Sequence, residues 1–237
     1  MDDIAEPVPM PGSAQSDPAA EDIEPNGAKR SARDRAYDRI RLGILSREFL
    51  AGTFVEEQQV CKLVGLSRTP VREAFSRLAA EGFIEQLPRR GAMVRHVTGR
   101  ELIELYETRK LIEGHAVTEI CRRGAGAPDD MRRIYQAMEQ QTDSDIIAHE
   151  DLNRRFHHAL MQSGGNAVLS RLYTGLHATM ARVAVSALAI DWARKSQIQA
   201  EHLALIEALD AGDSDAARSV LACHLEPPPE VLANLPR

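Results

Sequence analysis

The segment from residue 63 to residue 78 reads LVGLSRTPVREAFSRL and constrains the fold more than any other. Gly65 predicts a sharp turn, because glycine enters the left-handed backbone region without steric cost. Ser67 is a good N-cap, and Pro70 falls early in the following helix, where a missing N–H costs little. Three apolar residues of that helix recur at helical spacing: Val71, Phe75 and Leu78. The segment is therefore typical of the turn and second helix of a helix-turn-helix.

The outer side of this predicted helix carries Arg68, Thr69 and Arg72 in its first turns. Recognition helices present their N-terminal residues to base edges in the major groove. Arginine pairs bidentately with guanine and also binds phosphate. A capped surface helix with ordinary arginines would show the same short pattern, but the combination favours DNA binding.

The distribution of charge supports that interpretation. The whole chain has a net charge of −6, yet residues 29–97 hold 14 Lys and Arg against 8 Asp and Glu. Residues 1–28 hold seven acids and no Lys or Arg, and residues 98–237 hold 15 basic against 20 acidic residues. We expect a disordered acidic tail over 1–28, a DNA-binding domain over 29–97, and an effector-binding and dimerisation domain over 98–237.

The rest of the predicted head completes a winged helix-turn-helix. A first helix is expected at 32–45, and a short second helix near 56–63 directs Val60 and Leu63 inward. After Gly82, residues 83–97 read as strand, turn and strand, a small β-hairpin. Its tip carries Arg89 and Arg90 beside Gly91. Basic residues at such a tip would reach phosphates or the minor groove, although a solvated polar turn has a similar composition.

Residues 33–97 resemble the winged helix-turn-helix of the GntR family of bacterial regulators. The resemblance rests on the stretch GLSRTPVREAF from Gly65, on Leu78 with Glu81-Gly82, and on Arg90-Gly91-Ala92 with Val94. It implies that Ser67, Arg68, Thr69 and Arg72 read or grip an operator, together with the wing. Members often carry arginine at the position of Gln58, and glutamine there would still bond adenine or phosphate.

From Thr98 onward the pattern is almost purely helical and predicts an antiparallel bundle, so the fold class is mainly α. Thr98 and Glu101 form a capping box, and Arg109 falls on the inward side of the first helix with Leu105. Glycine and proline breaks separate six predicted helices: 98–122, 128–141, 146–162, 166–190, 193–211 and 213–225.

Three of these helices direct a histidine inward. Asn153 and His157 are four residues apart and share one helix face. His202 aligns with apolar residues of the fifth helix, and His224 does so on the sixth. A single inward histidine is more often a satisfied core residue than a ligand. Three together suit a divalent transition metal such as Zn or Ni, and the amide oxygen of Asn153 could complete the set.

The body also resembles the all-helical FCD ligand domain of the FadR-like subgroup. Its metal-binding members carry Asp-x-x-x-His on one helix and single histidines on two later helices, the positions of Asn153, His157, His202 and His224. Asparagine in place of aspartate brings no charge and should weaken metal binding. The resemblance implies a small organic acid as effector, for which Arg109 is the best cationic partner, although a salt bridge to Glu113 was an equal alternative. His115, His149, His158 and His177 match no ligand position and are interpreted as surface residues or neighbours of the site.

The sequence thus predicts a homodimeric regulator, a repressor in most of the family, that binds a palindromic operator on double-stranded DNA. A metal-free sensor whose histidines bind the effector directly stays open because of Asn153. A metalloenzyme is the weaker alternative, since no carboxylate is clearly placed as a general base near His157. No apolar run is long enough for a membrane span, there is no secretory signal, and the three cysteines are scattered, so we expect a cytoplasmic protein without membrane contact.

Overall fold

The computed structural model describes residues 31–87, 91–141, 145–190 and 194–236. The predicted 1–28 tail lies outside these residues. The fold is mainly α, as predicted, with one small antiparallel sheet. The helices are α1 Ala32–Leu45, α2 Glu57–Val64, α3 Arg68–Ala80, α4 Gly99–Arg122, α5 Asp129–Gln140, α6 Ile146–Ser163, α7 Ala167–Gly175, α8 His177–Ile190, α9 Arg194–Asp210, α10 Ser214–His224 and α11 Pro229–Asn234. The strands are β1 Phe54–Val55, β2 Ile84–Leu87 and β3 Gly91–Val94.

The helix-turn-helix forms where the sequence predicts it. Gly65 ends α2 with φ +63°, and Val71, Phe75 and Leu78 are buried on the inner face of α3. Two details of the prediction are wrong. Ser67 occupies the N-cap position, but its hydroxyl makes no capping hydrogen bond. Leu63 is 45% exposed rather than inward, and Val60 is the buried residue of α2.

The wing has one strand more than the sequence suggested. The sheet order is β1-β3-β2, and Phe54 pairs with Met93 in the added strand. This strand has only two residues, too few for a periodic signal. The predicted tip residues Arg89 and Arg90 lie outside the described residues, whereas Gly91 opens β3 with φ +90°.

The body is a helical bundle with two departures from the predicted segments. The helix expected over 166–190 is two helices, α7 and α8, because the N–H of Leu176 turns back to the carbonyl of Tyr173 and ends α7. The sixth predicted helix ends before the proline run, as expected, but a further helix, α11, which was not predicted, begins at Pro229, since proline is favourable in a first turn. The N-cap Thr98 accepts a backbone hydrogen bond as expected, and the N-caps Asn166 and Asp213 also accept backbone hydrogen bonds.

Helix α8 joins the head to the body. Ala178 and Ala181 belong to the hydrophobic cluster of the head, while Met180 and Val183 of the same helix belong to that of the body. A guanidinium N–H of Arg182 also donates to the carbonyl of Arg95, 3.3 Å away. None of the described helices combines the length and apolar composition needed to cross a bilayer.

Candidate nucleic-acid interface and metal centre

The predicted DNA-contacting residues of the helix-turn-helix are exposed. Those that the structure describes are Gln58, Ser67, Arg68, Thr69 and Arg72. The buried face of α3 packs on α1, so the N-terminal turn of α3 is presented on a fixed support. The free hydroxyl of Ser67 and the free N–H groups of this turn are the groups that a helix N-terminus offers to phosphate.

The two arginines of this turn differ in their surroundings. Arg72 Nε lies 2.9 Å from Glu57 Oε2 on α2, although 63% of the Arg72 side chain is exposed. Arg68 forms no ion pair with any residue that the structure describes. Arg68 is therefore immediately available to DNA, whereas Arg72 must exchange Glu57 for a phosphate or a base.

The three predicted histidines of the body converge. His157 Nε2 lies 3.0 Å from His224 Nε2 and 3.3 Å from His202 Nε2. His157 and His202 are fully buried, and one nitrogen of each of the three rings lies within 4.8 Å of the others. Burial lowers the pKa of His157 to about 4, despite the opposing effect of Glu113, and lowers the pKa of His202 well below its ordinary value. The rings of His157 and His202 are therefore neutral at physiological pH and offer nitrogen lone pairs.

Two carboxylates orient the rings from behind. His157 Nδ1 lies 2.7 Å from Glu113 Oε2, and His224 Nδ1 lies 2.8 Å from Glu201 Oε2. Each carboxylate accepts a hydrogen bond from Nδ1–H, which leaves the lone pair on Nε2. Carboxylates commonly fix metal-binding histidines in this way. The structure therefore aims at least two Nε2 lone pairs at one point.

Asn153 and Arg109 line one cavity with His224. The cavity has a volume of about 60 Å³, and it also borders His149 and Glu150. The buried Oδ1 of Asn153 has no hydrogen-bond partner among the described residues. His149, expected at the surface or beside the site, is fully buried against this cavity.

Arg109 forms one of the two interactions expected for it, and the other, with an anionic effector, stays a prediction. Its Nε lies 2.7 Å from Glu113 Oε1, which is the predicted salt bridge. Its Nη2 is buried and has no hydrogen-bond partner in the described structure. Although burial alone would raise it, Arg109 and His157 together lower the pKa of Glu113 to about 2. Arg109 is thus held in place by Glu113 and retains donor capacity for an anion in the cavity.

Sequence reasoning missed the contact of Glu113 with His157, and it missed Glu150 and Glu201 as parts of this region. Glu113 follows Arg109 by one helical turn, a spacing that signals an ion pair but not a contact with His157 from another helix. Glu150 is buried, its Oε2 has no hydrogen-bond partner among the described residues, and burial raises its pKa to about 7. Its position one turn before Asn153 was the available signal.

Comparison with known protein families divides the chain in the same order. Residues 32–94 match the family described as bacterial regulatory proteins, gntR family. Residues 104–227 match the FCD domain.

The relatives that the chain resembles are regulators of bacterial operons. A probable D-xylose utilization operon transcriptional repressor of Paenarthrobacter nicotinovorans is 29% identical, over 73% of this chain and 76% of its own length. The Nta operon transcriptional regulator of Aminobacter aminovorans is 27% identical, over 77% of this chain and 85% of its own length.

Solved structures share the fold. A protein from Rhodococcus sp. RHA1 described as a GntR transcriptional regulator superposes with a TM-score of 0.72 at 23% identity, covering 86% of this chain and 99% of that one. McbR/YncC of E. coli gives a TM-score of 0.65 at 22% identity, with coverage of 83% and 94%.

Proposed function

Because the chain belongs to the GntR family of bacterial regulatory proteins and carries an FCD domain, we propose that it is a repressor whose operator affinity responds to a small carboxylate bound in the helical body. Its family and relatives are transcription regulators rather than enzymes, which removes the metalloenzyme alternative. DNA binding belongs to the family. The effector, the metal and the palindromic operator are our proposals.

The observation that supports a metal in the helical body is the contact between histidine nitrogens in a buried site. If the Nδ1 atoms of His157 and His224 both donate to carboxylates, their Nε2 lone pairs face each other at 3.0 Å. Two lone pairs at that distance repel unless they bind a common cation. A divalent metal satisfies both nitrogens and His202 together.

The donor set favours zinc, nickel or a similar ion. Three imidazole nitrogens and the amide oxygen of Asn153 suit these metals, and the neutral amide gives weaker binding than a carboxylate would. Glu113 and Glu201 would hold the ligating rings in the correct tautomer. The metal, when bound, supplies a Lewis-acidic position for a carboxylate oxygen of the effector.

The proposed effector binds between that position and Arg109. The cavity of about 60 Å³ has room for a few waters, or for a small organic acid that displaces them. The free Nη2 of Arg109 would donate to its carboxylate, and a charge-assisted bond of this kind is the strong type. Glu150 is largely protonated below pH 7 and could donate to a further oxygen of the ligand.

The DNA part of the proposal is tested by titrating the protein against the DNA upstream of its own gene at several salt concentrations. We expect saturable binding that weakens steeply with salt, as phosphate contacts require. Arg68→Ala should weaken DNA binding by about 1–3 kcal/mol or reduce its salt dependence. Arg133→Ala, on the exposed side of α5, should change neither the affinity nor its salt dependence. Absence of salt-sensitive, saturable binding would remove the proposed role.

The metal is tested separately by elemental analysis after exhaustive dialysis. We expect close to one equivalent of a transition metal, and tighter retention in Asn153→Asp. A wild-type protein that retains no metal would favour the metal-free sensor, in which the histidines bind the effector directly. Equal retention in both proteins would count against Asn153 as a ligand.

A further inference from the structure

A second cavity lies where the head meets the body, apart from the histidine centre. Its volume is about 510 Å³, and both domains contribute to its walls. Arg41 on α1 and Arg77 on α3 come from the head. Arg154 on α6 and His177 at the start of α8 come from the body. We call this cavity the interdomain cleft.

The basic groups of the interdomain cleft are incompletely neutralised. Its acid, Glu81, accepts hydrogen bonds from the Tyr37 hydroxyl and from Arg77 Nε. Arg41 forms no ion pair with any residue that the structure describes. Its guanidinium instead lies 5.8 Å from the ring centre of Phe83. Arg77 also pairs with Asp34, and Arg154 pairs with Asp151, so the excess positive charge of the cleft is that of Arg41.

Two buried nitrogen atoms on the body side have no hydrogen-bond partner among the described residues. They are Arg154 Nε and His177 Nε2. Arg154 uses one other nitrogen to contact Asp151, so its Nε stays available. Buried polar groups are nearly always satisfied, and an unpaired pair on facing helices points to a missing partner.

The electrostatic surroundings show which sign that partner has. Burial is the main reason that the pKa of His177 falls to about 4, and the charges that lower it further are all basic: Arg154, His158, Arg109 and Arg41. Glu150, the buried acid nearby, is itself partly neutral near pH 7 because burial raises its pKa. The unsatisfied atoms thus lie in a positive potential, which favours an anion.

The backbone adds donors at the same place. Helix α8 starts at His177, and Gly175 and Ala178 also line the cleft. The first turn of a helix has free N–H groups and a partial positive charge, which stabilise anions. Donors from three elements, α1, α6 and the start of α8, suit an oxyanion with several acceptor oxygens, such as phosphate.

We propose that the interdomain cleft binds a phosphate-class oxyanion, which links Arg41 of the head to Arg154 and His177 of the body. The anion is either free phosphate or the phosphoryl group of a small metabolite. Because its ligands lie on both domains, it fixes the head against the body. Operator affinity then responds to this anion independently of the carboxylate proposed at Arg109.

The test measures phosphate binding to the full chain by calorimetry at constant ionic strength in chloride buffer, with inorganic phosphate and glycerol 3-phosphate as separate ligands. We expect binding by the wild type and at least tenfold weaker binding by Arg41→Gln. Since Arg41 forms no ion pair with described residues, this variant should fold normally. Arg154→Gln should weaken binding similarly, and the difference between the two ligands identifies the source of the phosphoryl group.

Matched controls separate the cleft from the other basic surfaces. Arg133→Gln on α5 and Arg68→Ala on α3 should both retain wild-type phosphate affinity. Undiminished binding by Arg41→Gln, or loss of binding only in Arg68→Ala, would overturn the proposal. So would a wild-type protein that does not bind either ligand at millimolar concentration. These results are distinguishable from failure of the proposed repressor function, which the DNA titration measures.

Discussion

At the scale of residues, one carboxylate serves two sites. Glu113 contacts Arg109 through Oε1 and His157 through Oε2, both at 2.7 Å. We expect Glu113→Gln to weaken metal binding by about 10–100-fold, the usual effect of losing a carboxylate behind a ligating histidine. Competition with a chromogenic chelator measures this change directly.

The control for Glu113→Gln is Glu104→Gln on the same helix. Glu104 is exposed and pairs with Arg100, so its loss should leave metal affinity unchanged. The helical content of both variants should be checked by circular dichroism, because Glu113→Gln leaves Arg109 buried without its carboxylate. A well-folded Glu113→Gln protein with wild-type metal affinity would contradict the proposed role.

Glu150 gives a prediction about pH. Burial raises its pKa from 4.5 to about 7, so the unfolded chain loses this proton at lower pH than the folded chain does. The contribution of Glu150 to stability is therefore complete below pH 4.5 and is lost as pH rises through 7, by up to about 3 kcal/mol. In metal-free protein, the Tm of Glu150→Gln minus the Tm of the wild type should become more positive as the pH rises from 4.5 to 8.

The matched substitution for that experiment is Glu207→Gln, on the exposed side of α9. Its Tm difference from wild type should not change with pH. A pH-independent difference for Glu150→Gln as well would show that Glu150 titrates normally in the folded protein.

The residues that the sequence predicted best are those marked by spacing within one helix. Asn153 and His157, His202 and His224 were found because inward positions follow from helical periodicity. The contacts of Glu113 with His157 and of Glu201 with His224 were missed because they join different helices, and spacing along the chain carries no information on such contacts. The same holds for Arg41 and His177, which are far apart in sequence and meet only at the interdomain cleft.

At the scale of elements, two glycines test how closely α4 and α6 pack. A Cβ added to Gly164 would lie 2.7 Å from the Cβ of Ala116, although its backbone is right-handed helical. A Cβ added to Gly114 in α4 would meet no described atom within 4 Å. We expect Gly164→Ala to lower the free energy of unfolding by about 1–3 kcal/mol, and Gly114→Ala to raise it by about 0.5–1 kcal/mol.

Urea denaturation of both variants measures the difference. Because the substitution is chemically the same, opposite signs would isolate the steric contact with Ala116. Equal effects would mean that α4 and α6 separate readily.

Elements bounded by strong local signals were predicted closely. The first helix was placed at its observed limits, and the Gly65 turn follows from the backbone freedom of glycine alone. The break between α7 and α8 at Leu176 was missed, and so was the strand β1. Both depend on the residues that pack against them and not on the local sequence. Tertiary contacts override local propensity at such places.

At the scale of the whole molecule, the proposed operator requires two heads. We expect sedimentation equilibrium to give twice the chain mass of 26.2 kDa, and footprinting to show two half-sites about one helical turn of DNA, or a multiple of it, apart. One chain bound per operator would contradict the two-fold arrangement.

Helix α8 has a further consequence for how a signal would travel. Ala178 and Ala181 contact the head, whereas Met180 and Val183 border the cavity with Arg109 on the other side of the same helix. The two compartments are thus separated by the thickness of a single helix, about 10 Å. When a ligand displaces Met180 or Val183 by an ångström, the displacement is either absorbed by repacking around α8 or transmitted to the surface on which the DNA-binding domain packs. Communication between the two compartments therefore needs no chain of intermediate residues.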